Sequence, residues 1–302
     1  MPEDDFLPFP KMPCRGESDA AVWVALEKIH GAQLVADVDA RGVRFAKRKA
    51  WLRDDEPFFG WQLLRGPLLD AARAAFARAG APRLVLYGEL FGGGYPGLDR
   101  GLQPVQTGVW YAPDLRWALF EARAVDGDRD DFLAWSETSS WGLPMPPLLL
   151  RGRKVDVDAL PERFPSRVAA ALGLPPLDGN VAEGLVAKPD VRMPATSYTS
   201  SKRKIAEMRE DRFDESRPWD PGRPMDLAAL TAWAERLTNA PRLASAASKV
   251  GRHDARALAD EVVLDVLMDL ERAFPGALKA LAPEGWAALE RAIRETLRTA
   301  LS

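Results

Sequence analysis

Cysteine is nearly absent: Cys14 is the single thiol in 302 residues. No intramolecular disulfide and no cysteine-rich zinc site is therefore possible, and one thiol suits a reducing compartment. Histidine is almost as scarce. His30 and His253 are the pair, and His253, in a helical stretch, is assigned no role. An excess of positive charge is missing too. With a formal net charge of −3, no global basic field advertises nucleic acid, so any such binding must rest on local patches. No apolar run approaches a membrane span. Residues 1–10 are acidic and broken by prolines, unlike the positive start and apolar core of a secretory signal. These absences lead to the expectation of a soluble, cytoplasmic protein that touches no membrane.

What is present is enough apolar material for a sizeable core, 47% hydrophobic residues with 28% charged ones, the balance of an ordinary globular chain. The length suits two domains or one large one. The first two-thirds alternate short apolar strands with turns. Ala21 to Leu26 predicts a buried strand ending in Glu27-Lys28-Ile29-His30-Gly31. Val43 and Phe45 alternate with Arg44 and Ala46, a half-buried strand. A helix is predicted from Trp61 to Ala79, then a strand from Arg83 to Leu90 running into a turn over Gly92 to Gly97. Trp117 to Ala122 and Glu183 to Pro189 complete the strands. Composition changes after Lys204, and the charged stretch Glu207 to Arg223, with Pro218 and Pro221, predicts a linker with a boundary near Pro224. Beyond it the pattern is helical. Trp286, Leu289, Ile293, Leu297 and Leu301 share one helix face, and Leu264, Leu267, Met268 and Phe274 suggest a second helix.

A lysine just after a strand is usually a solvated end. Covalent nucleotidyl transfer asks more of it: an unprotonated amine, in line with an α-phosphate, among groups that bind base, ribose and metal. Nearby positive charge favours the neutral amine. Lys28-Ile29-His30-Gly31 resembles the nucleotidyltransferase lysine motif in the histidine form of the phage-type RNA ligase 2 family; DNA ligases and capping enzymes commonly have Asp where His30 stands. Further segments follow in that family's order. Tyr87-Gly88-Glu89-Leu90 resembles its third motif and Leu119-Phe120-Glu121 the aromatic motif after it. Glu183-Gly184-Leu185-Val186-Ala187-Lys188-Pro189 resembles the fourth, and Lys202-Arg203-Lys204 the paired-lysine fifth. Ala46-Lys47-Arg48 with Phe58-Phe59-Gly60 is also similar to the family between its first and third motifs. In the tail, residues 237–243 and 248–251 resemble its helical C-terminal domain. Each segment alone is weak; together, in order, they are specific.

The resemblance implies an α+β fold: an ATP-grasp-like nucleotidyltransferase domain of antiparallel sheets over residues 1–223, with the ATP pocket between the sheets, and a small all-α domain over residues 224–302. It implies ATP-dependent joining of 3′-hydroxyl and 5′-phosphate RNA ends, at nicks in duplex, by a monomer using Mg²⁺ or Mn²⁺. Lys28 would carry AMP, and His30 would help place phosphate or help in the later strand-joining steps. Glu89 would meet the ribose, Phe120 would stack on adenine, and Glu27 and Ile29 would lie on the nucleotide side. Glu183 would hold the metal, a hydrated hard cation suited to oxygen ligands. Lys188, Lys202 and Lys204 would contact phosphates. Arg48, within the run Arg41, Arg44, Lys47, Arg48, Lys49 and Arg53, would contact the 5′-phosphate strand. Arg242 and Lys249 would help seat the nucleic acid.

Three departures stand out. Ser200-Ser201 precede Lys202 in place of an apolar strand residue, so a register slip would put Arg203 on the active face. Glu121 replaces the usual aspartate, and Ala32 stands where a small hydroxyl residue is common. Two alternatives stay open: another covalent nucleotidyltransferase of the DNA ligase or capping type, and a non-catalytic RNA-end-binding protein on the same fold.

Overall fold

Trp23 to Glu27 places five consecutive side chains out of contact with water, which requires cover on both faces and a neighbour on each edge. The computed structural model supplies both. It describes residues 6–12, 18–98, 100–208, 225–250 and 254–301; Cys14, His253, the boundary at Pro224 and the linker residues 209–223 lie outside them.

In chain order the strands are β1 (Trp23–Glu27), β2 (Ala32–Asp39), β3 (Gly42–Ala46), β4 (Arg83–Gly94), β5 (Ala112–Asp126), β6 (Arg129–Phe132), β7 (Leu148–Gly152), β8 (Gly184–Pro189), β9 (Met193–Pro194) and β10 (Ser201–Lys204). The helices are α1 (Arg65–Ala79), the short α2 (Trp135–Thr138), α3 (Lys154–Asp158) and α4 (Val168–Ala171), then α5 (Leu227–Leu237), α6 (Ala240–Val250), α7 (Ala255–Ala273) and α8 (Pro283–Leu301). Two sheets result, with orders β10-β8-β1-β7 and β3-β2-β4-β5-β6-β9. Every pairing is antiparallel. With the helical C-terminal region this is the α+β architecture expected from the sequence.

Apolar clusters fix the sheets. Trp23, Ala25, Leu185 and Ala187 pack with Val157 of α3 on one side of the smaller sheet. Val35, Val85, Tyr87 and Phe132 form the core of the larger one, with Phe6, Leu7 and Phe9 from the N-terminal segment laid against them. A third cluster unites Ile29 with Phe91, Val109, Tyr111, Ala118 and Ile205, joining the lysine loop to β4 and β5. Two glycines permit close approach. A Cβ on Gly88 would stand 2.0 Å from the Trp117 indole, and one on Gly184 would stand 2.0 Å from the Arg203 carbonyl oxygen.

The sequence expectations need local correction. β4 continues through Gly94, so the turn is shorter than Gly92 to Gly97, and β5 runs for 15 residues around the expected Trp117 to Ala122 core. Residues 61–64 form a 3-10 turn before α1. Leu289, Ile293 and Leu297 are buried on α8, as their spacing predicts, whereas Trp286 is half exposed. The expected second helix is α7, which spans Leu264, Leu267 and Met268 and ends just before Phe274. Leu264 and Met268 are exposed, and the buried residues are Leu258, Val262, Val263, Val266, Leu270 and Ala273. Run 262–270 is apolar nearly all round, so periodicity does not select a face.

The chain separates into two compact units. One holds residues 1–52, 68–96 and 104–217; the other holds 53–67, 97–103 and 218–302. In the helical unit Asp226 caps α5 by accepting from the Ala229 N–H, and Asp254 caps α7 by accepting from the N–H groups of Arg256 and Ala257. Arg242 reaches from α6 to Asp269 on α7 and donates to the Leu237 carbonyl at 3.0 Å. Lys249 pairs with Glu261 at 2.7 Å and Asp265 at 3.0 Å. Both cations expected to seat nucleic acid thus tie α6 to α7.

Candidate active site

Lys28 follows β1 but does not fray from it. Its N–H donates to the Gly184 carbonyl at 2.9 Å, and the Glu27 N–H donates to the Pro147 carbonyl at 2.9 Å. These bonds carry the strand order through the turn and aim the lysine back at β8. Its Nζ lies 2.6 Å from Oε2 of Glu183, the residue before β8. Lys204, at the end of β10, approaches the other carboxylate oxygen at 2.9 Å, and His30 Nδ1 lies 3.6 Å from Oε2. One buried carboxylate gathers two ammonium groups and an imidazole from two segments.

Charge follows from that packing. Burial raises the pKa of Glu183, but the charges of Lys28 and His30 and the hydrogen bonds from Lys28 and Lys204 more than reverse it, leaving the group below its ordinary value. Burial lowers the pKa of His30, with Glu183 opposing and Lys28 and Lys204 reinforcing. Glu89 is different. Desolvation pushes it up to about 7, Lys28 acts against this and Glu183 adds to it, and the Arg48 charge lowers it slightly.

A cavity of about 540 Å³, counted with its open mouth, adjoins this group inside the sheet-bearing unit. Leu26, Glu27, Lys28, Ile29, Val186 and Lys188 wall it from the smaller sheet and its lysine loop; Glu89, Phe120 and Glu121 wall it from the larger. Its lining, apolar and aromatic walls with carboxylates and lysines among them, suits a nucleotide-like molecule. Gly31 is indispensable to its shape, since a Cβ there would stand 2.1 Å from the Leu90 carbonyl oxygen and 2.9 Å from the Glu89 side chain.

Most expected residues meet here, with some changes of duty. In β10, Lys202 faces Val186 and Lys204 faces Gly184 across the pairing, which sets both lysines on one side. Arg203 points the other way and donates to the carbonyls of Val157, Asp158 and Leu160; the register does not slip. Glu27 lines the cavity, but its carboxylate accepts from the Ser166 hydroxyl at 2.6 Å and the Arg167 N–H at 2.7 Å. Lys188 donates to Glu121 at 2.7 Å and to the Phe120 carbonyl at 3.3 Å, so here it braces the strand that carries Phe120. Tyr198 adds a hydroxyl to the same Glu121 oxygen at 2.7 Å. That third bond helps satisfy a buried ion pair that would otherwise be costly. Arg48 stands exposed beyond β3.

Several wall residues carried no sequence signal. Phe9, Met12, Pro146 and Tyr198 complete the lining. Phe9 sits with its ring centroid 5.1 Å from Phe120 and 5.2 Å from Tyr87, and the Tyr87 hydroxyl donates to the Leu7 carbonyl at 2.9 Å. Tyr111 accepts the His30 N–H at 2.8 Å. The contacts join residues some 80 positions apart, beyond any local pattern.

No group of three or more His, Cys, Asp or Glu side chains that could hold a metal occurs among the described residues. The donor set at hand, Glu183 with Glu89 nearby, fits a hydrated hard cation rather than a caged one.

The family model for RNA ligase matches residues 21–206, which spans the charged group around Glu183 and all of the cavity wall but Phe9 and Met12. The chain belongs to the RNA ligase family. It is 31% identical over 239 residues to the mitochondrial RNA-editing ligase 1 of Trypanosoma brucei brucei, covering 62% of this chain and 51% of that protein. It is 30% identical over 200 residues to RNA-editing ligase 2 of the same organism, covering 55% and 48%. The chain thus spans about half the length of these relatives. Among solved structures, the Naegleria gruberi RNA ligase with PPi aligns at a TM-score of 0.40 and 16% identity, covering 61% of this chain and 50% of that one; a likeness this weak carries no argument about the site.

Proposed function

We propose that this protein is an ATP-dependent RNA ligase that joins 3′-hydroxyl and 5′-phosphate ends, at nicks in duplex, through AMP carried on Lys28. One observation carries the reading: Lys28 lines a cavity together with Glu89 and Phe120 while hydrogen-bonded at 2.6 Å to a carboxylate that Lys204 also holds.

Three group transfers follow. Lys28, as the free amine, attacks the α-phosphorus of ATP; a P–N bond forms as the nitrogen gives up a proton to solvent, the bond to the bridging oxygen breaks, and pyrophosphate leaves. A terminal 5′-phosphate oxygen of RNA then attacks the same phosphorus. The P–N bond breaks, Lys28 regains a proton, and the RNA carries AMP on its 5′ end. Finally the 3′-hydroxyl attacks the RNA phosphate, losing its proton, and AMP departs. Phe120 offers adenine an aromatic face, and Glu89, when ionised, accepts from a ribose hydroxyl. His30, Lys202 and Lys204 line the phosphate side and offset charge that builds on the transferring group. A divalent cation such as Mg²⁺ or Mn²⁺, held by Glu183 among waters, would offset phosphate charge and disfavour protonated Lys28. Lys188 supports the base-binding strand through Glu121, and Arg48 meets the 5′-phosphate strand at the rim.

The protein acts as a monomer. No helix among the described residues is long and apolar enough to cross a membrane. A cytoplasmic setting agrees with the single cysteine, and fractionation of the source cell decides it.

Labelled ATP, GTP and NAD⁺, offered separately with nicked RNA and nicked DNA duplexes, test the reading. It expects label transfer from ATP and sealing of the RNA nick. Transfer from GTP alone, or sealing of DNA alone, overturns it.

A further inference from the structure

Trp110 is 39% exposed, yet its main chain is fixed on both sides. The Asn180 side chain clamps it, accepting the Trp110 N–H at 2.9 Å and donating to the Trp110 carbonyl at 2.7 Å. Asn180 in turn accepts the Ser166 N–H at 2.9 Å on its own carbonyl, and the Ser166 hydroxyl donates to Glu27 at 2.6 Å. On the other side the next residue, Tyr111, accepts the His30 N–H at 2.8 Å. The tryptophan is therefore referenced by hydrogen bonds to both flanks of Lys28: to Glu27 before it and to His30 after it. Its ring edge rests on Gly94, where an added Cβ would lie 3.2 Å from the indole.

A lone surface tryptophan needs no explanation by itself. One whose main chain is locked by a side-chain clamp, and tied twice to the nucleophile's own loop, is an exposed aromatic surface whose backbone is held at a set place relative to that loop. Rigid exposed aromatics recognise nucleobases by stacking, which tolerates any base. Resting on the ligase reading, we infer that Trp110 is a stacking platform for a nucleobase at the RNA break, so that base position and phosphate position are set by one hydrogen-bonded frame. Asn180 is its positioning residue.

Binding of a dye-labelled nicked RNA duplex, read by anisotropy without ATP, tests this on Trp110→Phe and Trp110→Leu, with circular dichroism reporting the fold. The Leu variant, which keeps apolar bulk without a π face, is expected to bind about 5- to 150-fold more weakly, and the Phe variant to retain most of the affinity. Removing the base of the 3′-hydroxyl nucleotide or of the 5′-phosphate nucleotide, in separate duplexes, is expected in one of the two to weaken the wild type by a like factor. That same duplex should cost the Leu variant nothing further. Equal binding by Phe and Leu variants overturns the platform, as does a loss from each abasic site that multiplies with the loss from Trp110→Leu. The ligase reading fails separately, by wild-type protein that takes up no AMP.

Discussion

Glu89 is the titrating residue of the site. Its carboxyl sits at about 7 in the folded protein against an ordinary 4.5, chiefly through desolvation. Between those values the native state holds a proton that the unfolded chain has released. Stability from this group is full below about pH 4.5 and is lost as pH rises through about 7. The expected size is about 1–2 kcal/mol, since the cavity leaves the group partly wetted. Urea midpoints at pH 5 and pH 8, without nucleotide, should show the decline, and Glu89→Gln should flatten it. An undiminished slope in the variant places the titration elsewhere. Arg48 is the residue on which the strand-contact argument rests. Its neighbours in the basic run are partly occupied: Arg41 pairs with Asp39, Arg53 with Asp55, and Arg44 stacks on Trp51. Arg48→Ala is expected to lower the slope of log affinity against log salt for nicked RNA by about 1. A slope equal to wild type means that Arg48 touches no phosphate.

At the scale of elements, β8 and β10 hold the charged group together, and Gly184 is where they meet. Its φ of +150° and the 2.0 Å gap a Cβ would leave to the Arg203 carbonyl oxygen forbid a side chain. Gly184→Ala should cost about 3 kcal/mol or more and separate Lys204 from Glu183, seen as a lowered thermal midpoint with loss of AMP uptake; unchanged stability removes the argument. The motif residues Lys28, Glu89, Glu183, Lys202 and Lys204 were legible because each sits on or next to a strand in a recognisable run. β2 was not. Ala32–Asp39 carries Gln33, Asp37 and Asp39 among small residues, and reads as weak. Its buried Asp37 is neutralised by Arg83, 46 residues away, through two bonds of 2.6 and 3.0 Å. Asn180 and Tyr198 were invisible for the same reason: what gives them meaning is a partner far along the chain. Glu27 lines the cavity, as expected of the nucleotide side, but nothing local shows that Ser166 and Arg167 also hold its carboxylate.

For the whole molecule, the helical tail does not stand alone as a segment. Residues 53–67 and 97–103 belong to its compact unit; within that unit a Cβ on Gly101 would meet Ala229 at 2.5 Å. Deleting residues 224–302 therefore strips cover from segments that remain. AMP uptake should persist in part, while nick sealing falls by an order of magnitude or more; unchanged sealing contradicts a substrate role for the unit. All of this depends on Lys28 as the acceptor of AMP. Protein incubated with ATP and Mg²⁺, digested and mapped by mass, should carry AMP on the peptide containing Lys28, and Lys28→Ala should carry none. AMP on another residue, or no adduct in wild-type protein that is folded and metal-supplied, contradicts the account.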